Sequence, residues 1–287
     1  MRIAVLAPMI EEFQYHLDLT VRYKRNDREM TLESLYQLVM RDFNEEQVPW
    51  DLKHEADIPA AGYYLTGLLR SKGHDVFLTN SYQAEILDKM AAFNPSVICL
   101  STTMIVSINA MVRIIDQIRL VMPGVFIVAG GVFTLKNYMA YKGMNYESVK
   151  DLEDYNLFHS RFSKIGIDAY IAVQHGSMSL SMLLKEFQKG EKADFSQIPN
   201  LILPDKKGFF IETKRLDENV DYDQDFTQWD YIDEMPVRVP LRTSIGCPYR
   251  CSFCDFCILY PKIHLRSPES LKKELSVVNK RLGNQVS

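Results

Sequence analysis

Four of the chain's five cysteines fall within eleven positions, inside the stretch SIGCPYRCSFCDFCILYPKIHLR at residues 244–266. Cys247, Cys251 and Cys254 have the spacing C-x3-C-x2-C, and Cys257 follows three residues later. A cubane iron–sulfur cluster prefers thiolate ligands, so three cysteines on one tight loop can hold three of its irons and leave the fourth free of protein. An open iron is a substrate site, by the logic of catalytic zinc, where three protein ligands keep one position free. A structural zinc site more typically uses two ligand pairs separated by a longer stretch, which this chain lacks. Packing as core thiols is the plain alternative.

The elements that must position this loop are a strand before it and a helix after it. VRVPLRTS (237–244) reads as the strand, and SPESLKKELSVVNKRLG as the helix, with Ser267 as N-cap and Pro268 at its first position. Ser270 stands where a full capping box would have Glu or Gln. Arg250 and Arg266 offer positive charge to a cluster or a carboxylate, although arginines usually solvate a surface.

Upstream, strands and helices alternate. RIAVLAP (2–8) is a buried strand, and TLESLYQLVMRDF places Leu32, Leu35, Tyr36, Val39, Met40 and Phe43 on one helical face behind Thr31. A helix with Tyr64, Leu65, Leu68 and Leu69 inward stops at Gly73, before a strand at 75–79. AEILDKMAAF, the strand SVICLSTT, a helix around 107–121 with Met111, Ile114, Ile115 and Ile118 inward, and the strand VFIVAGGVF follow. DAYIAV (168–173) and a helix at 178–188 close the series. Near-continuous apolar strands alternating with amphipathic helices predict an α/β fold, a doubly wound parallel sheet covered on both faces. Ligands of such sheets sit at the carboxyl ends of the strands. Those ends here are Pro8-Met9, Ser101-Thr102-Thr103, Gly130-Gly131 and Gln174-His175-Gly176. The glycine pair lets backbone approach a large ligand, but is also ordinary turn chemistry. No G-x-G-x-x-G follows the first strand, which counts against a dinucleotide site.

The expected organisation is a Rossmann-like domain at 1–190, a linker with one hairpin (NLILP and FFIET joined by DKKG) at 191–236, and a cysteine-loop unit at 237–287. Composition fits: 287 residues, 33 Lys+Arg against 37 Asp+Glu, and 47% hydrophobic residues suit a globular protein of one to three domains. Nothing in that balance points to nucleic acid, and no apolar run approaches a membrane span. The opening MRIAVLAPMIEEF reads as a strand rather than a signal peptide. With an odd cysteine count this predicts a reducing, cytoplasmic setting.

CPYRCSFC (247–254), with the aromatic Phe253 before its last cysteine, resembles the cluster loop of radical S-adenosylmethionine enzymes. The resemblance implies that Cys247, Cys251 and Cys254 ligate a [4Fe-4S] cluster, that S-adenosylmethionine chelates the open iron, and that Phe253 lies against the adenine. Reduction by an electron donor such as flavodoxin or ferredoxin would then release a 5′-deoxyadenosyl radical. The wider arrangement, with SVICLSTT, FIVAGGVF and DAYIAVQHG ahead of a hairpin and TSIGCPYRCSFC, is similar to the cobalamin-binding group of that family. That likeness implies a corrin over the sheet's carboxyl edge, touching Ser101, Thr102, Gly130, Gly131 and Gly176. It also implies methyl transfer to an unactivated carbon or phosphorus of a small-molecule or peptide substrate. A radical rearrangement without cobalamin and a non-catalytic cofactor-binding role are the alternatives.

The sequence departs from that group twice. Many cobalamin domains carry D-x-H-x-x-G after the first strand to ligate cobalt, and here His16 is the only histidine near that loop. QHGS at 174–177 stands where glycine and glutamate commonly alternate, and only Gly176 matches. A (β/α) barrel takes roughly 200 residues or more. The stretch from Val237 onward is far shorter, so the chain is expected to be part of a longer enzyme, with strands that contact S-adenosylmethionine beyond it.

Overall fold

The computed structural model describes residues 1–8, 23–25, 28–30, 58–143, 156–236, 238–249, 251, 254 and 256–283. The side chains of 23–25, 28–30, 257 and 258 are not among those described. The expected helix over 31–43, His16, Arg250, Phe253 and the Cys257 side chain lie outside the described residues.

Seven strands form one sheet. β1 (Arg2–Leu6) pairs in parallel with β4 (Asp75–Thr79) on one side and β5 (Val97–Ser101) on the other, and β2 (Tyr23–Arg25) and β3 (Arg28–Met30) form a separate antiparallel pair. β6 (Phe126–Gly130) and β7 (Ala169–Ile171) continue the parallel run. The order β4-β1-β5-β6-β7 reverses its winding between β1 and β5. This is the doubly wound α/β architecture that the sequence predicts.

The sheet forms because its strands are apolar on both faces. Along β1, Ala4 and Leu6 join one core and Ile3 and Val5 the other. The first core is completed by α2 (Ala84–Phe93) and α3 (Ile108–Val121), and the second by α1 (Ala60–Ser71) and α5 (Ser177–Phe187). In α3 the residues Met111, Ile114, Ile115 and Ile118 are fully buried, one helical stripe. Ser107 caps that helix by accepting the Ala110 N–H at 3.1 Å.

Three expectations change. VFIVAGGVF is not one strand: β6 ends at Gly130, and α4 (Val132–Gly143) begins one residue after Gly131. The hairpin β8 (Leu201–Pro204) and β9 (Phe210–Glu212) extends the main sheet, with β8 antiparallel to β7. In α1, Tyr64, Leu65 and Leu68 are only partly buried, because the helix also packs along its glycine face. A Cβ at Gly67 would lie 3.0 Å from the Gln228 carbonyl oxygen.

The cysteine loop is framed by a two-residue antiparallel pair, β10 (Ser244–Ile245) with β11 (His264–Leu265), and residues 238–243 are irregular rather than a strand. Gly246 has φ +92°, and a Cβ there would come within 2.1 Å of the Lys262 carbonyl oxygen, so only glycine fits this crossing. A short helix α6 (Phe256–Leu259) lies within the loop. α7 (Pro268–Gly283) follows, and Ser267 accepts the Ser270 N–H at 3.2 Å, as its sequence predicts. Val278 of α7 packs with Trp229, Ile232 and Tyr63, which seats this unit against α1.

Candidate functional site

The carboxyl ends of β5, β6 and β7 form the floor of a cavity of about 420 Å³, a volume in the usual range for small-molecule sites. Its walls are mostly apolar, from Leu65, Cys99, Val128, Ile171, Val173 and Leu180. Burial pushes the Cys99 thiol up to about 12, so it serves as wall and not as nucleophile. α1 closes one side, and the roof comes from Phe226, Thr227, Leu241, Arg242, Ile245 and Tyr260.

Four of the five edge residues named from sequence line this cavity: Ser101, Gly130, Gly131 and Gly176. Gly131 has φ +123°, and a Cβ there would stand 3.0 Å from both the Thr103 nitrogen and its Oγ1. A Cβ at Gly130 would make only ordinary contact with Ile171. Thr102 does not line the cavity; it is fully buried, its Oγ1 bonded to the Gly130 carbonyl and to Thr134 Oγ1, both at 3.1 Å. It pins the end of β5 to the start of α4, and Thr103 takes the place on the cavity wall.

One wall is polar. His175 Nε2 lies 2.7 Å from the Tyr222 hydroxyl, and its Nδ1 is 4.0 Å from Asp225 Oδ2. Asp225 also accepts from the Tyr64 hydroxyl and from Arg242, whose Nη2 is 3.0 Å away. Burial lowers the His175 pKa, a pull that Asp225 partly opposes, so the ring favours the neutral state. Burial, then Asp225, raises the Tyr64 pKa and keeps the phenol protonated. Both nitrogens of His175 face protein groups, which gives the ring a fixed orientation on the cavity wall.

Tyr222 and Asp225 come from a strap at residues 217–227 that sequence reading treats as linker. Glu218 accepts the N–H groups of Met178 and Ser179 at 2.9 Å, at the start of α5. Asp223 accepts the Ser267 N–H at 2.7 Å, at the start of α7. The strap therefore ties both helices to the cavity mouth. Tyr64, Arg242 and the strap carry no local sequence signal, since their partners are 17 to 161 residues away.

The cysteine loop adjoins the cavity through Tyr260. Cys247 and Cys254 are half-buried and Cys251 is exposed. Among the described residues, no three His, Cys, Asp or Glu side chains form a group able to hold a metal ion. The donor set suits a cluster chemically. Arg266 is not a surface residue: it is 5% exposed and bonded to Glu274, Ser270 and the Arg242 carbonyl. Among the described residues no helix is long and apolar enough to cross a membrane.

Residues 56–147 match the family described as the B12 binding domain. Comparison with curated proteins finds no match. Among solved structures, the chain is similar to that of the cobalamin-dependent S-adenosylmethionine radical enzyme OxsB with aqua-cobalamin and S-adenosylmethionine bound. The likeness has 16% identity and a TM-score of 0.51, and covers 92% of this chain. The chain spans 36% of the length of that structure, and at this identity the likeness is one of fold, an α/β sheet.

Proposed function

We propose that this chain supplies the cobalamin-binding sheet and the cluster loop of a cobalamin-dependent radical S-adenosylmethionine enzyme that transfers a methyl group to an unactivated carbon or phosphorus. The observation that carries the reading is the cavity at the sheet's carboxyl edge, roofed in part by Tyr260 of the loop that holds Cys247, Cys251 and Cys254. The B12-domain match over 56–147 supports it.

On this reading Ser101, Thr103, Gly130, Gly131 and Gly176 offer the cofactor a small-residue edge, with Thr102 holding that edge in register. His175 orients and shields rather than ligating cobalt, since both of its nitrogens face Tyr222 and Asp225. Phe253, which precedes Cys254 in the sequence, would be the adenine contact. When bound, a [4Fe-4S] cluster supplies the electron that cleaves S-adenosylmethionine and cobalamin supplies a methyl carrier. The reading implies a cytosolic electron donor of the flavodoxin or ferredoxin type, and a small-molecule or peptide substrate.

Titration with hydroxocobalamin, followed by its visible spectrum, should saturate at one equivalent. Anaerobic reconstitution with iron and sulfide should give about four irons per chain. Cys251→Ala should abolish the iron and leave cobalamin binding intact. Stoichiometric zinc with no obtainable cluster, or no cobalamin uptake, overturns the proposal.

The alternative reading is cofactor binding without catalysis. Formation of 5′-deoxyadenosine on reduction with S-adenosylmethionine decides against it.

A further inference from the structure

We infer that Gln174 and Tyr260 form a latch that seats the cysteine loop on the rim of the cavity, and are positioning residues for that loop. The inference rests on the proposed function for the meaning of the two sites, but the latch itself is visible in the bonding. The Gln174 side-chain amide donates to the Leu259 carbonyl, and the Tyr260 hydroxyl donates to the Gln174 carbonyl at 3.1 Å. Two bonds of opposite direction thus join the same two short segments, 85 and 86 residues apart.

Each partner belongs to both places. Gln174 follows β7 and Tyr260 closes α6, and both line the cavity. The Tyr260 N–H donates to the Phe256 carbonyl at 2.8 Å, and the two rings lie 5.0 Å apart. Leu259, between them, is 2% exposed and anchors the turn. The turn is two residues from Cys254, whose N–H donates to the Cys251 carbonyl at 3.1 Å. A shift of Gln174 by a ligand in the cavity is therefore passed through one helical turn to the segment that carries two of the three thiols. By linkage, loading of the loop must alter ligand affinity in the cavity by the same factor.

The test is the rate at which N-ethylmaleimide alkylates Cys251 and Cys254 in the whole chain, read peptide by peptide by mass spectrometry. Tyr260→Phe and Gln174→Ala should each raise those rates about two- to tenfold, the worth of one hydrogen bond. The double variant should react faster than either single, because two separate bonds between the same segments are lost. Unchanged rates in both singles, or a double no faster than the singles, overturn the latch. Saturating hydroxocobalamin should slow alkylation in the wild-type chain and lose that effect in both variants, each compared at its own saturation. A purely structural role would raise the rates yet leave the cobalamin effect in place, and would overturn the assignment as positioning residues. If the wild-type chain takes up no cobalamin the proposed function fails, while the rates without ligand still decide the latch.

Discussion

The indole N–H of Trp229 donates to Oε1 of Glu274 at 2.8 Å, and the other oxygen of that carboxylate takes the Arg266 guanidinium. Glu274 and Arg266 are 1% and 5% exposed, so this is an ion pair removed from water and satisfied on both oxygens. It joins the turn under α1, the end of β11 and the second turn of α7. Removing one partner leaves the other buried and charged. Glu274→Gln should therefore cost about 3–5 kcal/mol. Trp229→Phe, which removes one bond and leaves the pair intact, should cost about 1.5–3 kcal/mol. Urea unfolding followed by far-ultraviolet circular dichroism gives both values, and equal costs would show that the pair is not the centre of this joint.

The two adjacent glycines at the end of β6 should part company. Gly131→Ala combines a φ of +123° with a Cβ set against Thr103, and should destabilise by about 1–3 kcal/mol. Gly130→Ala meets only ordinary contacts with Ile171 and should cost under about 1 kcal/mol. A cobalamin titration of the Gly130 variant then reports on the edge itself, since its fold is kept.

Stability should fall as the medium is acidified from pH 7.5 to 5.5. Burial lowers the His175 pKa below the ordinary imidazole value of about 6.5, so the unfolded chain binds a proton that the folded chain refuses. The contribution is complete above that value and is lost as pH falls toward the folded pKa. His74 is shifted the same way, by burial first and then by the chain amino group and Lys72. His175→Gln should accordingly flatten the slope of urea midpoint against pH without abolishing it. A slope unchanged by the substitution would place the titration elsewhere.

How far the sequence led depends on the range of the interaction. The alternating strands and helices were legible because each element's burial is written in its own period, as in Met111, Ile114, Ile115 and Ile118 of α3. Caps were legible for the same reason, with Ser267 bonding to Ser270 three residues on. α4 was not, because Val132 and Phe133 continue the apolar run of β6 and only the turn at Gly131 divides them. The edge residues Ser101, Gly130, Gly131 and Gly176 followed from topology, whereas Thr102 turns inward to bond Gly130 and Thr134 and leaves the wall to Thr103. For Arg266 residue type left a carboxylate partner and a solvated surface both open, and the structure has the first. Its burial depends on Glu274, eight residues on, and on the Phe226 ring beneath it, 4.9 Å from the guanidinium carbon. Of the polar wall only His175 was legible, at the end of the last strand; the rest is assembled from α1, the strap and Arg242.

That wall yields the last prediction. Asp225 receives the Tyr64 hydroxyl on Oδ1 and Arg242 on Oδ2, with side-chain exposures of 20% for Asp225 and 33% for Arg242. The site is partly screened by solvent, so the pair is worth less than the Arg266–Glu274 pair, but it holds the strap over the cavity. Asp225→Asn keeps the shape and removes the charge. It should weaken both bonds, at a cost of about 1–2 kcal/mol in total. Tyr64→Phe alone should cost less, and the double variant should cost less than the two singles added, because the phenol and the carboxylate share one bond. Amide hydrogen exchange should quicken across 217–227 in the Asp225 variant while α3 keeps its protection, since local opening draws on few buried contacts. Quickened exchange in α3 as well would mean that the strap opens only with the whole sheet, and that the cavity has no roof able to move by itself.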